Sequence, residues 1–214
     1  MSATAAWQVL DDGWTAALDE AWQSWCDGSA GVGASITDAN GVVIARGRNR
    51  RHDTRDGDGL AGSRVAHAEM CALAALPDGS FDGRTLSTTF EPCLMCAGAI
   101  ILCAVPRVRY AAADPVWDGM HDWFTSLPQA AKRRPERELL GGPIGAFAHV
   151  LHLSWLALWI PDSDAVALHD RLVPRHLELA RDVVESSDLP AIATDRGSVT
   201  DALDALWPDL LALS

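Results

Sequence analysis

Three residues of the types that bind zinc occur in two short stretches of the chain: His67 in the first, Cys93 and Cys96 in the second. Zinc takes imidazole nitrogen and thiolate sulfur, and a catalytic site uses three protein ligands so that water fills the fourth position. Cys93 and Cys96 are three residues apart, so a helix brings both sulfurs to one face. The start of a helix also favours the thiolate form. Because no second Cys-x-x-Cys or His-x₃-His pair follows, the set indicates an open metal site rather than a closed structural one.

A carboxylate accompanies these candidate ligands. Glu69 lies two residues after His67, where it could take a proton from water and later deliver it to a leaving group. Zinc lowers the pKa of water to about 7, so this chemistry would run near neutral pH. The alternatives are a structural zinc site or a chance pattern at an ordinary helix start. Because a structural site does not need the carboxylate, Glu69 favours catalysis.

The two stretches form a pair of motifs, His67-Ala68-Glu69-Met70 and Glu-Pro-Cys-Leu-Met-Cys-Ala-Gly-Ala over residues 91–99. This pair is the signature of zinc-dependent base deaminases. The stretch 65–110 resembles the cytidine-deaminase-like superfamily and looks most like the branch that holds the tRNA adenosine deaminases and the bacterial guanine deaminases. The resemblance covers residues 10–120.

The resemblance implies that the three candidate ligands hold zinc and that Glu69 shuttles protons. It also implies that Asn49 contacts the base or sugar, and that the backbone N–H of Ala68 and the carbonyl of Glu91 hold the amidine edge of the base. The alternative for Asn49 is a residue that merely ends a strand, since Asn favours turns. Residues 63–66 before the first motif, and the C-terminal part of the chain, depart from the branch.

Aromatic and histidine side chains near these motifs have two interpretations each. Trp117, Trp123 and Phe124 follow the last core strand, where relatives place segments that close over the base. They are candidates for an aromatic lid on a flat heterocycle, and the alternative is that they are core residues. His149 and His152 are three apart on a predicted helix. Because no acidic or thiol partner accompanies them, packing is favoured over a second metal site.

The elements that position these residues follow from the spacing of apolar residues and from turn signals. In order, the spacing predicts a helix over 14–25, a hairpin over 33–46, a helix from His67, a strand over 85–90, a helix from Pro92 to Pro106 and a strand over 108–112. This order predicts an α/β protein, a three-layer α/β/α sandwich around a mixed sheet of about five strands with crossover helices between parallel strands. The predicted units are a deaminase core over 1–140 and a helical extension over 141–214 packed on it.

Composition narrows the classes of partner. The 214 residues include 17 Lys and Arg against 29 Asp and Glu, a formal net charge of −12. Such a chain repels phosphate backbones, and the basic residues 132–134 are followed at once by acidic ones, which favours a solvated connector.

Five cysteines make a poor disulfide framework, and the apolar stretch 144–160 is too interrupted for a membrane span. With no signal-peptide pattern at residues 1–13, a cytoplasmic protein is expected.

The sequence therefore predicts a zinc-dependent hydrolase that replaces an exocyclic amine of a free nucleobase or nucleoside with oxygen and releases ammonia. A purine such as guanine or adenosine is favoured over a pyrimidine. The alternatives are deamination of the wobble adenosine in tRNA, cytosine- or cytidine-type deamination, and a non-catalytic zinc-binding relative. The resemblance also implies a homodimer, and neither a nucleic acid nor a membrane is an expected partner.

Overall fold

The protein is described here by a computed structural model that covers residues 1–55, 59–76, 79, 82–186 and 188–214, without the side chains of residues 121, 123 and 188. The strands are β1 (Gly33–Thr37), β2 (Val43–Arg48), β3 (Thr85–Phe90), β4 (Arg107–Ala112) and β5 (Glu136–Leu139). The helices are α1 (Ala3–Gln8), α2 (Asp12–Cys26), α3 (Ala68–Ala74), α4 (Leu94–Leu102), α5 (Met120–Thr125), α6 (Pro128–Lys132), α7 (Gly142–Trp159), α8 (Asp164–Leu172), α9 (Pro174–Glu185), α10 (Asp188–Thr194) and α11 (Val199–Leu213), with a 3₁₀ turn at Pro115–Trp117.

The five strands form one mixed sheet in the order β2-β1-β3-β4-β5. β1 runs antiparallel to β2 and β3, whereas β3, β4 and β5 are parallel to one another. Parallel neighbours need a crossover, and α4 supplies it between β3 and β4. The predicted α/β fold with a mixed sheet is confirmed. β5 is not indicated by its own sequence, because its four residues are mostly exposed and it is fixed by pairing with β4.

Helices cover both faces of the sheet, and two glycines set how closely they approach. Gly33 in β1 lies against α2, where a Cβ would overlap the backbone of Ala17 and Ala21. Gly47 in β2 lies against α3, where a Cβ would overlap the backbone of Ala68. Gly47 pairs with Ala34, the neighbour of Gly33 in β1. Since successive residues of a strand point to opposite faces, α2 and α3 lie in different layers.

The C-terminal helices share a hydrophobic core with α2. Phe147 and Leu151 of α7 are fully buried and belong to the same cluster as Leu18 of α2. The indole N–H of Trp25 donates to Ser154 Oγ at 2.9 Å. Residues 141–214 are thus packed into the sandwich, and the division of the chain at residue 140 stays a prediction. Within the described ranges, no helix has both the length and the apolar character needed to cross a membrane.

Candidate active site

The three candidate metal ligands converge at the starts of two helices. Cys93 Sγ lies 3.5 Å from His67 Nδ1 and 3.7 Å from Cys96 Sγ, and Cys96 Sγ lies 3.6 Å from His67 Nδ1. With zinc bonds of about 2.3 Å to sulfur and about 2.0 Å to nitrogen, tetrahedral geometry places two sulfurs about 3.8 Å apart and a sulfur about 3.5 Å from the nitrogen. The three atoms therefore fit one zinc ion.

The local backbone leaves these side chains available for a metal. His67 is the N-cap of α3 and Cys93 is the N-cap of α4, both with extended backbone angles. Neither side chain makes the hydrogen bond with which an N-cap residue usually satisfies the first turn. Cys96 lies in the first turn of α4 and is fully buried. Both helix N-termini, which favour negative charge, thus point at the site.

The close packing of the ligands shifts the pKa values of the two thiols in opposite directions. Hydrogen bonding from Cys96, and from His67, lowers the pKa of Cys93 to about 4 despite burial. The same pairing with Cys93, together with burial, raises the pKa of Cys96. The pKa of the His67 imidazole is raised, chiefly by its hydrogen bond with Cys93. A divalent cation favours both thiolates and the neutral imidazole, so zinc binding releases protons.

Glu69 lies in the first turn of α3 and is only 3% exposed. Burial raises the pKa of its carboxyl to about 7, and the nearby Cys93 sulfur adds to the rise. A cation held by the three ligands favours the carboxylate and acts in the opposite direction. A buried carboxyl in the first turn of α3, beside the ligands, is placed to accept a proton and then return it.

A cavity of about 370 Å³ opens onto the ligands. This volume lies in the range of about 300–1,000 Å³ that is typical of small-molecule sites. The cavity brings together most of the residues proposed from the sequence: Asn49, His67, Ala68, Glu69, Glu91, Cys93 and Trp117. Their individual roles toward a substrate stay predictions.

Neighbouring elements hold two of these residues in position. Asn49 follows β2, is 6% exposed, and its Oδ1 accepts from the N–H of Arg51 at 3.1 Å. The carboxylate of Glu91 accepts from the N–H of Asp114 at 3.0 Å and pairs with Arg137 of β5. The backbone N–H of Glu91 donates to the carbonyl of Ala112. β5 therefore anchors the loop that carries the second motif.

Phe124 does not line the cavity at the candidate metal ligands. It lines separate cavities beside α4, against residues such as Ile101, Met120 and Leu127, rather than the cavity at the ligands. The 3₁₀ turn that holds Trp117 directly follows the end of β4, whereas α5 lies further along the chain and packs outside α4. Trp123 belongs to α5, and its side chain lies outside the described part of the structure.

Several residues that line this cavity lie outside the two sequence motifs, including some from the C-terminal helices. His152 and Trp155 of α7 and His169 of α8 line the same cavity, as does Asp114 after β4. The sequence favours packing for the histidine pair at 149 and 152, whereas in the structure His152 lines the cavity. A pair of histidines in an otherwise apolar helix was the available signal.

Comparison with known proteins places residues 10–112 within the model of the cytidine and deoxycytidylate deaminase zinc-binding region. A tRNA-specific adenosine deaminase of Bacillus subtilis is 34% identical over 130 residues, which cover 59% of this chain and 75% of that protein. A cytosine deaminase of Candida albicans is 34% identical over 105 residues, covering 47% of this chain and 65% of that protein. The solved structure of a guanine deaminase from Nitrosomonas europaea has a TM-score of 0.50 and 23% identity over 70% of this chain and 87% of its own, which shows a shared fold.

Proposed function

Because this chain belongs to the family of zinc-binding cytidine and deoxycytidylate deaminases, we propose that it hydrolyses the exocyclic amine of a free nucleobase or nucleoside. A purine such as guanine or adenosine is the favoured substrate class. The observation that carries the proposal is a cluster of three ligand atoms spaced for zinc, of which His67 and Cys93 line one cavity together with the buried carboxylate of Glu69. The intact Glu69 argues against a non-catalytic relative.

The chemistry divides between the metal and the chain. When bound, zinc supplies Lewis acidity that makes water acidic enough to act as a nucleophile near neutral pH. Glu69 takes one proton from the attacking water and passes it to the ring nitrogen beside the amine-bearing carbon. It then moves the proton of the new hydroxyl to the amine. The carbon–nitrogen bond breaks, ammonia leaves and a carbonyl remains on the ring.

Backbone groups of the two motifs orient the base in this proposal. Ala68 is the first residue of α3, so its N–H has no acceptor within the helix. The Glu91 segment is fixed by its hydrogen bonds with Ala112 and Asp114, and Glu91 lines the cavity. In this proposal its carbonyl accepts from the exocyclic amine at the amidine edge, and the Ala68 N–H donates to an acceptor of the base next to that edge.

Two observations favour a small substrate over tRNA. Helices α7 and α8 contribute a wall of the cavity, including Trp155 and His169, so the ligand position is enclosed by the C-terminal part. That part, from Gly141 onward, has four arginines against eleven acidic residues, a poor surface for phosphates. The likeness to a tRNA-specific adenosine deaminase supports the second candidate, deamination of a wobble adenosine. The likeness to a cytosine deaminase keeps pyrimidines among the small substrates to be tested.

The test is a deamination screen of the zinc-loaded protein. Free bases and nucleosides are assayed for ammonia release, and a tRNA transcript with a wobble adenosine is assayed for inosine at low salt. Glu69→Gln, prepared in parallel, controls for contaminating enzymes. Ammonia from at least one small molecule is the expected result. Inosine in the tRNA with no small molecule turned over would contradict the proposal.

We also propose a homodimer and a cytoplasmic location. Leu94 and Leu102 of α4 are 41% and 75% exposed, and uncovered apolar side chains on one short helix favour contact with a second copy. None of the five cysteines, all within the described ranges, forms a disulfide. Thiolate ligands of this kind persist in a reducing compartment. Sedimentation velocity of the purified protein tests the dimer.

A further inference from the structure

The wall that α7 and α8 contribute to the cavity contains two histidines whose hydrogen-bonding capacity is incomplete. His169 is 2% exposed and lines the cavity together with His152. His169 Nε2 and His152 Nδ1 are buried and have no hydrogen-bond partner among the described residues. A buried polar atom without a partner is destabilising, so these nitrogens are candidates for hydrogen bonds to a ligand.

The structure fixes the tautomer of His169. Its Nδ1 lies 2.8 Å from the carbonyl oxygen of Ala165. A carbonyl only accepts, so Nδ1 carries the hydrogen. Burial lowers the pKa of this imidazole, which favours the neutral ring. In the neutral ring the other nitrogen, Nε2, is then an acceptor with a free lone pair.

The nearest charged group facing that lone pair is a second acceptor. Asp114 Oδ1 lies 3.8 Å from His169 Nε2, too far for a hydrogen bond. Asp114 already accepts from the N–H of Val116 at 2.9 Å. Burial raises the pKa of the Asp114 carboxyl to about 6, so at pH 7 it is an acceptor as well. A donor brought by another molecule would satisfy both atoms.

The ring of His152 lies beside the same wall. Its centroid is 4.5 Å from that of Phe90 and 6.5 Å from that of His169. Burial lowers the pKa of His152 to about 3, so it too is neutral at pH 7. The wall therefore offers polar nitrogens without adding positive charge to a site meant for a cation.

We infer that His169, with His152 beside it, determines substrate specificity by accepting a hydrogen bond from a ring N–H of the heterocycle. This inference rests on the proposed function. The ligand class is a flat base that carries an N–H donor in addition to the amine it loses. A base methylated at that nitrogen fills the same cavity but leaves Nε2 unsatisfied.

The experiment separates hydrogen bonding from size. Leucine and glutamine differ little in volume, yet only glutamine keeps an acceptor near the position of Nε2. His169→Leu and His169→Gln are each combined with Glu69→Gln, which stops turnover so that binding is measured alone. His176→Leu is the matched control, because His176 belongs to the same histidine cluster but lines a neighbouring cavity.

Calorimetry of the zinc-loaded proteins gives the dissociation constants of guanine, adenine and cytosine and of their ring-N-methyl analogues. We expect at least one base to bind Glu69→Gln about tenfold or more tightly than its methyl analogue, as one buried hydrogen bond allows. His169→Leu removes this preference, whereas His169→Gln and His176→Leu keep it. Equal preference in the leucine and glutamine variants, or no binding of any base, overturns the inference.

A second measurement does not depend on the folding of a variant. In protein labelled with ¹⁵N-histidine, the Nε2 resonance of His169 reports whether its lone pair accepts a hydrogen bond. Addition of the preferred base shifts this resonance, and an unchanged resonance at saturation overturns the inference. Failure of the wild-type protein to deaminate any base that it binds in this way contradicts the proposed function instead.

Discussion

Replacing Phe147 by alanine tests whether the C-terminal helices and the sheet unfold as one unit. The side chain of Phe147 is 0% exposed and lies in the core shared by α7 and α2. Truncation of a buried phenylalanine costs about 3–5 kcal/mol in transfer free energy and residual cavity. In a protein of this size about 1 kcal/mol lowers Tm by about 2–4 °C, so Phe147→Ala lowers Tm by about 6–20 °C.

The matched control lies on the same helix. Trp159 is 61% exposed, so Trp159→Ala changes Tm by only about 1–2 °C, as expected for a surface site. Thermal unfolding is followed by far-UV circular dichroism and, in parallel, by release of zinc to a colorimetric chelator. A single transition that moves in both signals supports one unit. If zinc release keeps its original midpoint while part of the helix signal melts early, the 141–214 segment is an independent unit and the reasoning is refuted.

Three further predictions concern the metal, the carboxylate of Glu69 and the pH dependence of stability. Cys96→Ser removes one of three zinc ligands, so metal analysis finds well below one zinc per chain; full occupancy contradicts the ligand assignment. Glu69→Gln keeps zinc and Tm but lowers kcat at least 10²- to 10⁴-fold, the range typical of a general acid–base group; activity within a few-fold of the parent removes Glu69 from the mechanism. Asp11 caps α2, and the pKa of its carboxyl is lowered, chiefly by the hydrogen bond from Arg109. The ionised carboxylate therefore stabilises the fold at pH values above the unfolded pKa near 3.8. This stabilisation is lost as the pH falls through the lower pKa of the folded state. Asp11→Asn therefore destabilises at pH 7 and has a smaller effect near pH 2 in chemical denaturation; an equal effect at both pH values contradicts the ion pair.

Local patterns in the sequence were sufficient to identify the candidate metal ligands and four of the five strands. The spacing of Cys93 and Cys96, the position of Glu69 and the turn signal of the hairpin over 33–46 each depend on residues close together in the chain. A helix turn places Cys93 and Cys96 together. Their distances from His67 depend on how the starts of α3 and α4 meet in the folded protein, and the paired motifs predicted that meeting only through the family resemblance.

The remaining parts depend on contacts between distant segments. β5 is mostly exposed and exists because β4 offers it a parallel edge. His169 is one histidine in an amphipathic helix, and only the docking of α8 turns it toward the cavity. Phe124 is close to Trp117 in the sequence, but α5 directs it to another surface. Periodicity assigns such residues to helices and does not say which cavity they face.

Because α7 and α8 enclose one side of the cavity, the residues of the site are synthesised in a defined order. A ribosome adds residues from the N-terminus, so His67, Cys93 and Cys96 all emerge well before residues 142–172. The nascent chain thus contains its zinc ligands before the residues that wall one side of the site have been made. When the later helices dock, through contacts such as Trp25 with Ser154, they cover that side and leave the cavity as the approach to the ligands. The order of synthesis therefore presents the ligand set first and the enclosing wall second.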